Sequence, residues 1–357
     1  MEDNASQKDA APDPRPRGPE VIYVQKQKKS RLFTWLVVVF MLMGGLFFLS
    51  LMVGIHMELR EFSDADDTRR FREEAVEPSE STARIVVIDV NGVILDVDGL
   101  FGGFVRPGEV IARLRQAAED ENVRGVVLRI DSPGGGITAS DVIYHEVRRT
   151  KEAGKKIIVF MGDIAASGGY YIAAPADHIM AHPTTITGSI GVIMEWWNTE
   201  GLFRKLGLRP NVIKSGEHKD LMSPARPTTE EEKKLLTAIV MEFYDRFVGI
   251  VAEGRKLKPD VVRTLADGRV YTAQQAKRHK LVDSIGYWED CKKEVERLTG
   301  VRNPAYVRYA PPRGLLRKLL SAQVKRDALD GAALDALVRE LRAGAAPRFH
   351  YLWKPEK

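Results

Sequence analysis

Between residues 84 and 298, short β-branched runs alternate with stretches whose apolar residues recur at helical spacing. Residues 84–95 predict a strand and a turn at Asn91-Gly92, and residues 123–130 and 156–161 predict two more strands, apolar enough to be buried. Between them, residues 107–121 carry Val110, Ile111, Leu114 and Ala117 on one helical face, and residues 137–153 are again helical. Strands alternating with helices imply right-handed βαβ crossovers and a parallel sheet, hence an α/β fold. Residues 178–181 and 210–213 predict two further strands. A capping-box signal, Thr228-Thr229-Glu230-Glu231-Glu232, has Thr228 or Thr229 as N-cap. It opens a long helix to about residue 256, with Leu235, Ile239, Phe243, Phe247 and Val251 along one face. Shorter helices are expected over 272–280 and 288–298. With no internal repeat, residues 84–300 read as one domain.

The flanking segments have a different character. Residues 1–31, rich in Pro, Asp, Lys and Arg, predict a disordered segment. Residues 32–55 are uncharged and mostly apolar, long enough to span a bilayer. A cleaved signal peptide would end in a small-x-small site, and Leu51-Met52-Val53-Gly54 offers a poor one. Lys26, Lys28, Lys29 and Arg31 precede the span, whereas Glu58, Glu61, Asp64, Asp66 and Asp67 follow it. The positive-inside rule then predicts a single-pass cell-membrane protein with a cytoplasmic N-terminus and an extracytoplasmic globular region. Residues 56–83 form a charged connector, and residues 301–357 form a C-terminal tail. Composition narrows the partners. A net charge of +5 without a basic-aromatic stripe argues against nucleic acid. A single cysteine, Cys291, excludes an intrachain disulfide and a multi-cysteine metal site.

The chemistry concentrates in Gly162-Asp163-Ile164-Ala165-Ala166-Ser167-Gly168-Gly169-Tyr170-Tyr171. Here a serine sits among small residues where a predicted strand gives way to a predicted helix. Such a turn exposes a nucleophilic hydroxyl beside the free N–H groups of a helix start, although a plain serine cap fits the same residues. Ser132-Pro133-Gly134-Gly135-Gly136 is a second glycine turn after a strand. It lacks the Gly-Lys-Ser/Thr of a phosphate loop and the spacing of a dinucleotide fingerprint. A structural turn remains open, as does a bare backbone facing an oxyanion or an extended peptide. The nucleophile needs a base. None of His56, His145, His178, His182, His218, His279 and His350 stands in a triad-like context. The other candidate is Lys219, in Lys214-Ser215-Gly216-Glu217-His218-Lys219-Asp220, which would have to give up a proton held at about pH 10.4 in free lysine. A solvated surface lysine fits that loop equally well.

Four ordered motifs carry a resemblance. They are Asp131-Ser132-Pro133-Gly134-Gly135-Gly136, Ala166-Ser167-Gly168-Gly169-Tyr170-Tyr171, Thr187-Gly188-Ser189-Ile190-Gly191-Val192 and the Lys214–Asp220 loop, with Asp267-Gly268-Arg269-Val270-Tyr271 as a fifth. The chain resembles the signal peptide peptidase A family in its short, single-domain form, over about residues 84–298. The resemblance implies a Clp-protease/crotonase-like α/β fold behind one transmembrane helix, and a membrane-anchored serine endopeptidase needing no cofactor or metal. It implies Ser167 as nucleophile, Lys219 as base, Ser189 as the residue orienting the lysine, and the Gly134 and Gly168 N–H groups as the oxyanion hole. An extended substrate would pair with the backbone at Gly135, Gly136 and Ile137. Implied partners are residual signal peptides and membrane-protein fragments, membrane lipid, and further copies of the chain in a ring whose sites share serine and lysine across subunits. The alternatives are an inactive membrane scaffold of the same fold and a crotonase-like acyl-thioester enzyme. The tail's apolar clusters (Leu315, Leu316, Leu319, Leu320; Leu334, Leu337, Val338, Leu341) and Phe349-His350-Tyr351-Leu352-Trp353 fit packing on a neighbouring subunit, on the membrane, or in the chain's own groove. The groove placement follows from the family, whose members can bind their own C-terminal ends.

Overall fold

The computed structural model describes residues 71–96, 103–310 and 348–352. The expected span at 32–55, the 1–31 segment, and the tail's Leu315–Leu320 and Leu334–Leu341 clusters lie outside them. Among the described residues no helix is long and apolar enough to cross a membrane.

In chain order the elements are β1 (Arg72–Ala75), β2 (Arg84–Asn91), β3 (Val93–Ile94), β4 (Phe104–Val105), α1 (Pro107–Glu119), β5 (Val123–Ser132), β6 (Gly134–Gly136), α2 (Ile137–Glu152), β7 (Lys156–Ala166) and α3 (Gly168–Ala173). There follow β8 (His178–Ala181), β9 (Ile186–Gly188), β10 (Ile193–Glu195), α4 (Glu200–Lys205), a 3-10 turn (Glu217–Asp220), α5 (Glu230–Arg255) and α6 (Pro259–Leu265). The order closes with β11 (Val270–Thr272), α7 (Ala273–Arg278), β12 (Ser284–Ile285), α8 (Trp288–Thr299), β13 (Ala305–Ala310) and β14 (Arg348–Leu352).

The main sheet runs β1-β13-β2-β5-β7-β8-β12 and is parallel from β13 to β12, with β1 antiparallel on its edge. This is the mixed α/β architecture with a mostly parallel sheet that the strand-helix alternation predicts. Both faces of the central strands are covered. Val86, Ile88, Val126, Leu128, Ile157 and Val159 join the larger core under α1, α2, α3 and α5. Ile85, Val87, Val127, Ile158 and Phe160 face Cys291 and Val295 of α8. That two-sided burial is why these strands read as nearly unbroken apolar runs. β1 and β13 bring residues on both sides of 84–300 into the sheet.

Three differences from the sequence reading matter for the site. The strand expected at 156–161 continues to Ala166. Residues 210–213 form no strand; Val212 and Ile213 are exposed. The face expected along α5 is buried at Phe247 and Val251 but exposed at Leu235 and Ile239, so the helix leaves the core towards its N-terminus. A second, smaller sheet runs β10-β14-β6-β3-β4, and in it β14 is antiparallel to both β6 and β10.

Candidate active site

β5 and β7 carry the site at their carboxyl ends, where parallel α/β sheets bind ligands. Their pairing slips between Ile130↔Met161 and Ser132↔Ala165, so Asp131 alone faces Gly162, Asp163 and Ile164. The Asp131 carboxylate accepts the Ile164 N–H at 3.1 Å and holds this bulge. The extra residues carry β7 on to Ser167, which caps α3 at φ +53°, ψ −116°. A non-glycine residue in that region is held there by its surroundings. Here the Ser167 N–H donates to the Gly188 carbonyl at 2.8 Å, and the Tyr171 N–H returns to the Ser167 carbonyl at 2.8 Å. Two tyrosines fix the helix behind it. The Tyr170 hydroxyl donates to the Leu281 carbonyl at 2.8 Å, and the Tyr171 hydroxyl to Asp141 at 2.6 Å. Arg246 of α5 also reaches that carboxylate.

The glycine turn lies against this helix start. A Cβ on Gly168 would sit 3.1 Å from Gly134 Cα and 3.1 Å from Gly135 N, and 2.5 Å from Ser140 Oγ. Only glycine at 168 lets the two backbones come this close. Gly134, at φ +104°, donates its N–H to the buried Ser132 hydroxyl at 3.1 Å. Gly134, Gly135 and Gly136 make up β6, whereas Ile137 begins α2 and takes no part in strand pairing. Ser189 is also close. β9 pairs with β7 through Ala166↔Gly188, and Ser189 follows at φ +48° with its N–H on the Arg269 carbonyl at 2.8 Å. The Asp267-Gly268-Arg269 turn therefore supports Ser189 from the side opposite Ser167.

Lys219 stands apart. It is exposed, on the 3-10 turn, and no hydrogen bond joins it to Ser167 or Ser189. Its turn is nonetheless held firmly. Arg226 bridges Asp220 at 2.9 Å and Glu232, and Lys214 Nζ donates to Asp220 at 2.8 Å and to the Glu217 carbonyl at 2.8 Å. Arg226, then Lys214, holds the Asp220 carboxyl far below the ordinary carboxylate range. Arg226, helped by the Thr229 N–H, lowers Glu232 to about 2. The histidines have other partners. His178 Nε2 meets Ser284 Oγ at 2.7 Å and its Nδ1 meets Glu294 at 3.0 Å, while burial pushes its pKa down. His182 Nδ1 meets Thr184 Oγ1 at 2.8 Å, and His218 lies 3.9 Å from Glu231. Three contributors had not been singled out from sequence. Ser132 sits inside a motif that marked it only as a turn residue, and nothing in the local pattern marks Ser140 or Arg226.

The model of peptidase family S49 matches residues 149–302, a span that holds Ser167, Ser189 and Lys219 but not the Gly134–Gly136 strand. A putative signal peptide peptidase SppA of Enterococcus faecium is 42% identical over 241 residues, covering 66% of this chain and 70% of that protein. This chain belongs to the signal peptide peptidase A family. Another relative, a putative protease of Methanocaldococcus jannaschii, is 40% identical over 59% of this chain and 68% of its own length. Protease 4 of Salmonella typhi is 35% identical over 60% of this chain but only 34% of its own length. As a member of this family the chain is a serine peptidase, and among its described serines Ser167 alone caps a helix at the carboxyl end of a sheet strand with φ above zero.

Proposed function

We propose that the chain is a membrane-anchored serine endopeptidase of Clp-protease/crotonase-like fold, working through a Ser167–Lys219 dyad. The observation that carries this reading is the strained Ser167 turn packed against the Gly134–Gly135 backbone. Neutral Lys219 Nζ takes the Ser167 Oγ proton while Oγ attacks the scissile carbonyl carbon. The resulting oxyanion is met by the Gly168 N–H and by the Gly134 N–H, which exchanges its Ser132 partner for the developing charge. Each such donor is typically worth about 10²–10³ in rate. Collapse expels the amine, which receives the proton from the Lys219 ammonium. A water then gives a proton to Lys219 and attacks the acyl ester, and as the tetrahedral species collapses the Lys219 ammonium returns that proton to Ser167 Oγ, releasing the carboxylic acid, which ionises in water. Ser189 orients the lysine.

In this reading the lysine comes from a neighbouring copy in a ring, which the exposure of Lys219 beside a buried Ser167 supports. The exposed apolar residues of the 193–228 arm, Trp197, Leu202, Leu206, Leu208, Val212 and Ile213, favour such an assembly. The substrates are extended apolar peptides, residual signal peptides and membrane-protein fragments among them. A span at 32–55 holds the enzyme beside them, with the peptidase domain extracytoplasmic. Cleavage of a synthetic signal peptide by the full-length chain in detergent tests the dyad. Ser167→Ala, Lys219→Ala and Lys219→Arg are each expected to lose at least about 10³-fold of the rate. The arginine fails because guanidinium keeps its proton. Near-normal turnover by Lys219→Ala would sink the dyad.

A further inference from the structure

α3 is six residues long, too short to hold a direction by itself, and Ser167 and Gly168 sit at its start. What grips it from outside therefore decides where it points. Tyr171 closes the first turn by returning its N–H to the Ser167 carbonyl at 2.8 Å, so a movement of Tyr171 is passed to the serine. The Tyr171 ring is fully buried, edge-on to Tyr144 at 5.4 Å and tilted against Phe247 of α5 at 5.0 Å. Apolar packing of this kind is non-directional. The direction comes from the hydroxyl.

That hydroxyl donates to Asp141 Oδ1 of α2 at 2.6 Å. The same oxygen accepts Arg246 Nη2 at 2.6 Å and Arg246 Nε at 3.0 Å, and Nε also lies 3.2 Å from the Tyr171 hydroxyl. One carboxylate oxygen thus joins α2, α3 and α5 through charge-assisted hydrogen bonds, the strong kind. α5 meets α3 a second time at its other end. A Cβ on Gly254 would lie 2.2 Å from the carbonyl oxygen of Ala174, the residue that caps α3. Held at Tyr171 and at Ala174, α3 takes its line from α5. The ion pair itself lies at the surface. The Arg246 side chain is 52% exposed and stands on the wall of a cleft of about 630 Å³ between α2 and α5, with Tyr144, Arg148, Gly249 and Glu253. A pair as open as this adds little to the stability of a fold. What it has is a hold on the helix that carries Ser167.

We propose that Arg246 and Asp141 are positioning residues that act through Tyr171, setting the direction of α3 and with it the aim of Ser167 Oγ and the Gly168 N–H. The proposal rests on the reading of Ser167 as the nucleophile. Attack needs Oγ in line with the scissile carbonyl and an N–H aimed at the developing oxyanion, and one helix start supplies both. A misplacement of about 1 Å in such geometry costs up to about 10²-fold in rate. The loss falls on kcat, because the contacts concerned form only as the tetrahedral species forms.

Steady-state cleavage of a synthetic signal peptide by full-length variants in detergent, with melting curves alongside, tests this. Arg246→Ala is expected to lose about 10- to 100-fold in kcat with KM within about twofold of wild type. Because the cleft is open where the guanidinium stood, added guanidinium ion at sub-denaturing concentration is expected to raise kcat of Arg246→Ala at least about fivefold, and ammonium, which lacks the forked donors, is not. Tyr171→Phe keeps the ring in its packing and removes only the hydroxyl. It is expected to lose kcat in the same way, without rescue by guanidinium, and it carries the test if Arg246→Ala folds poorly. Arg263→Ala, which breaks the nearby Arg263–Asp245 pair of 3.0 Å, is expected to leave kcat unchanged. A kcat within about twofold of wild type in both Arg246→Ala and Tyr171→Phe overturns the proposal and leaves Ser167 as nucleophile. A loss in Arg246→Ala that follows its melting temperature and ignores guanidinium also overturns it, as the mark of a purely structural pair. Wild-type turnover by Ser167→Ala, in contrast, removes the nucleophile reading and the proposal with it.

Discussion

Ser167 and Gly168 show how few residue types this turn admits. Ser167 accepts a positive φ because Gly188 takes its N–H and Tyr171 returns to its carbonyl, while Gly168 has no room for a side chain. The turn at these two positions could be read from the sequence, since a serine among small residues after an apolar run marks a strand-to-helix corner, although the same residues also fit a plain serine cap. Ser132 could not. Its hydroxyl takes the Gly134 N–H two residues on, a local side-chain turn that many serines before glycine make without any role in a site. The glycines differ in what an added methyl would meet. At Gly135 it would strike the Ile94 carbonyl at 1.9 Å, a backbone atom that cannot swing away. Gly135→Ala is therefore expected to destabilise the fold by about 3 kcal/mol or more, at the upper end of overpacking costs. Gly216→Ala, with open space around it, serves as the mild control. Thermal or urea melts of the two variants compare them directly.

Long periodic segments were legible as elements, and two- or three-residue strands were not. α5 begins at Thr229, whose hydroxyl accepts the Glu232 N–H at 3.2 Å while Glu232 accepts the Thr229 N–H at 2.9 Å, so the structure chooses between the two threonines the sequence offered. β10, β11 and β12 carry too few residues for any period to show, and they exist through their pairing partners. The apolar residues at 210–213 resembled a strand, yet Ile213 is fully exposed in the single chain. Glu232 ties the α5 cap to the lysine-bearing turn through Arg226. Its carboxyl falls from an ordinary 4.5 to about 2, with the Arg226 hydrogen bond as the largest cause. A depressed carboxyl pKa stabilises the fold above the unfolded value and loses that contribution as pH drops through the folded one. Glu232→Gln is thus expected to melt below wild type at pH 7, with the gap narrowing below about pH 4.5 and closing near pH 2. Melting curves from pH 2 to 7 give the answer, and a pH-independent gap would remove Arg226–Glu232 as the cause.

At the scale of the molecule, the parallel sheet and its ligand-binding end followed from the alternation of elements. What the chain's pattern could not convey was that Lys219 stands exposed on the 193–228 arm while Ser167 is buried at the carboxyl end of the sheet. If the dyad forms between copies, a Ser167→Ala chain co-assembled with a Lys219→Ala chain should recover a substantial share of wild-type turnover, up to about one intact site in four for random mixing in equal amounts. Recovery absent from mixtures shown to co-assemble would assign both groups to one chain.

The all-glycine strand β6 has one more consequence. An edge without side chains cannot inspect the side chains of what it binds; it measures whether a main chain is extended with its N–H and C=O groups unclaimed. A helix has already committed those groups to itself, so a helical segment presents nothing for β6 to grip until it unwinds. On the proposed reading, selection at this edge is by conformation first and by sequence second. Well-folded proteins would then escape not because their residues are wrong but because their backbones are occupied.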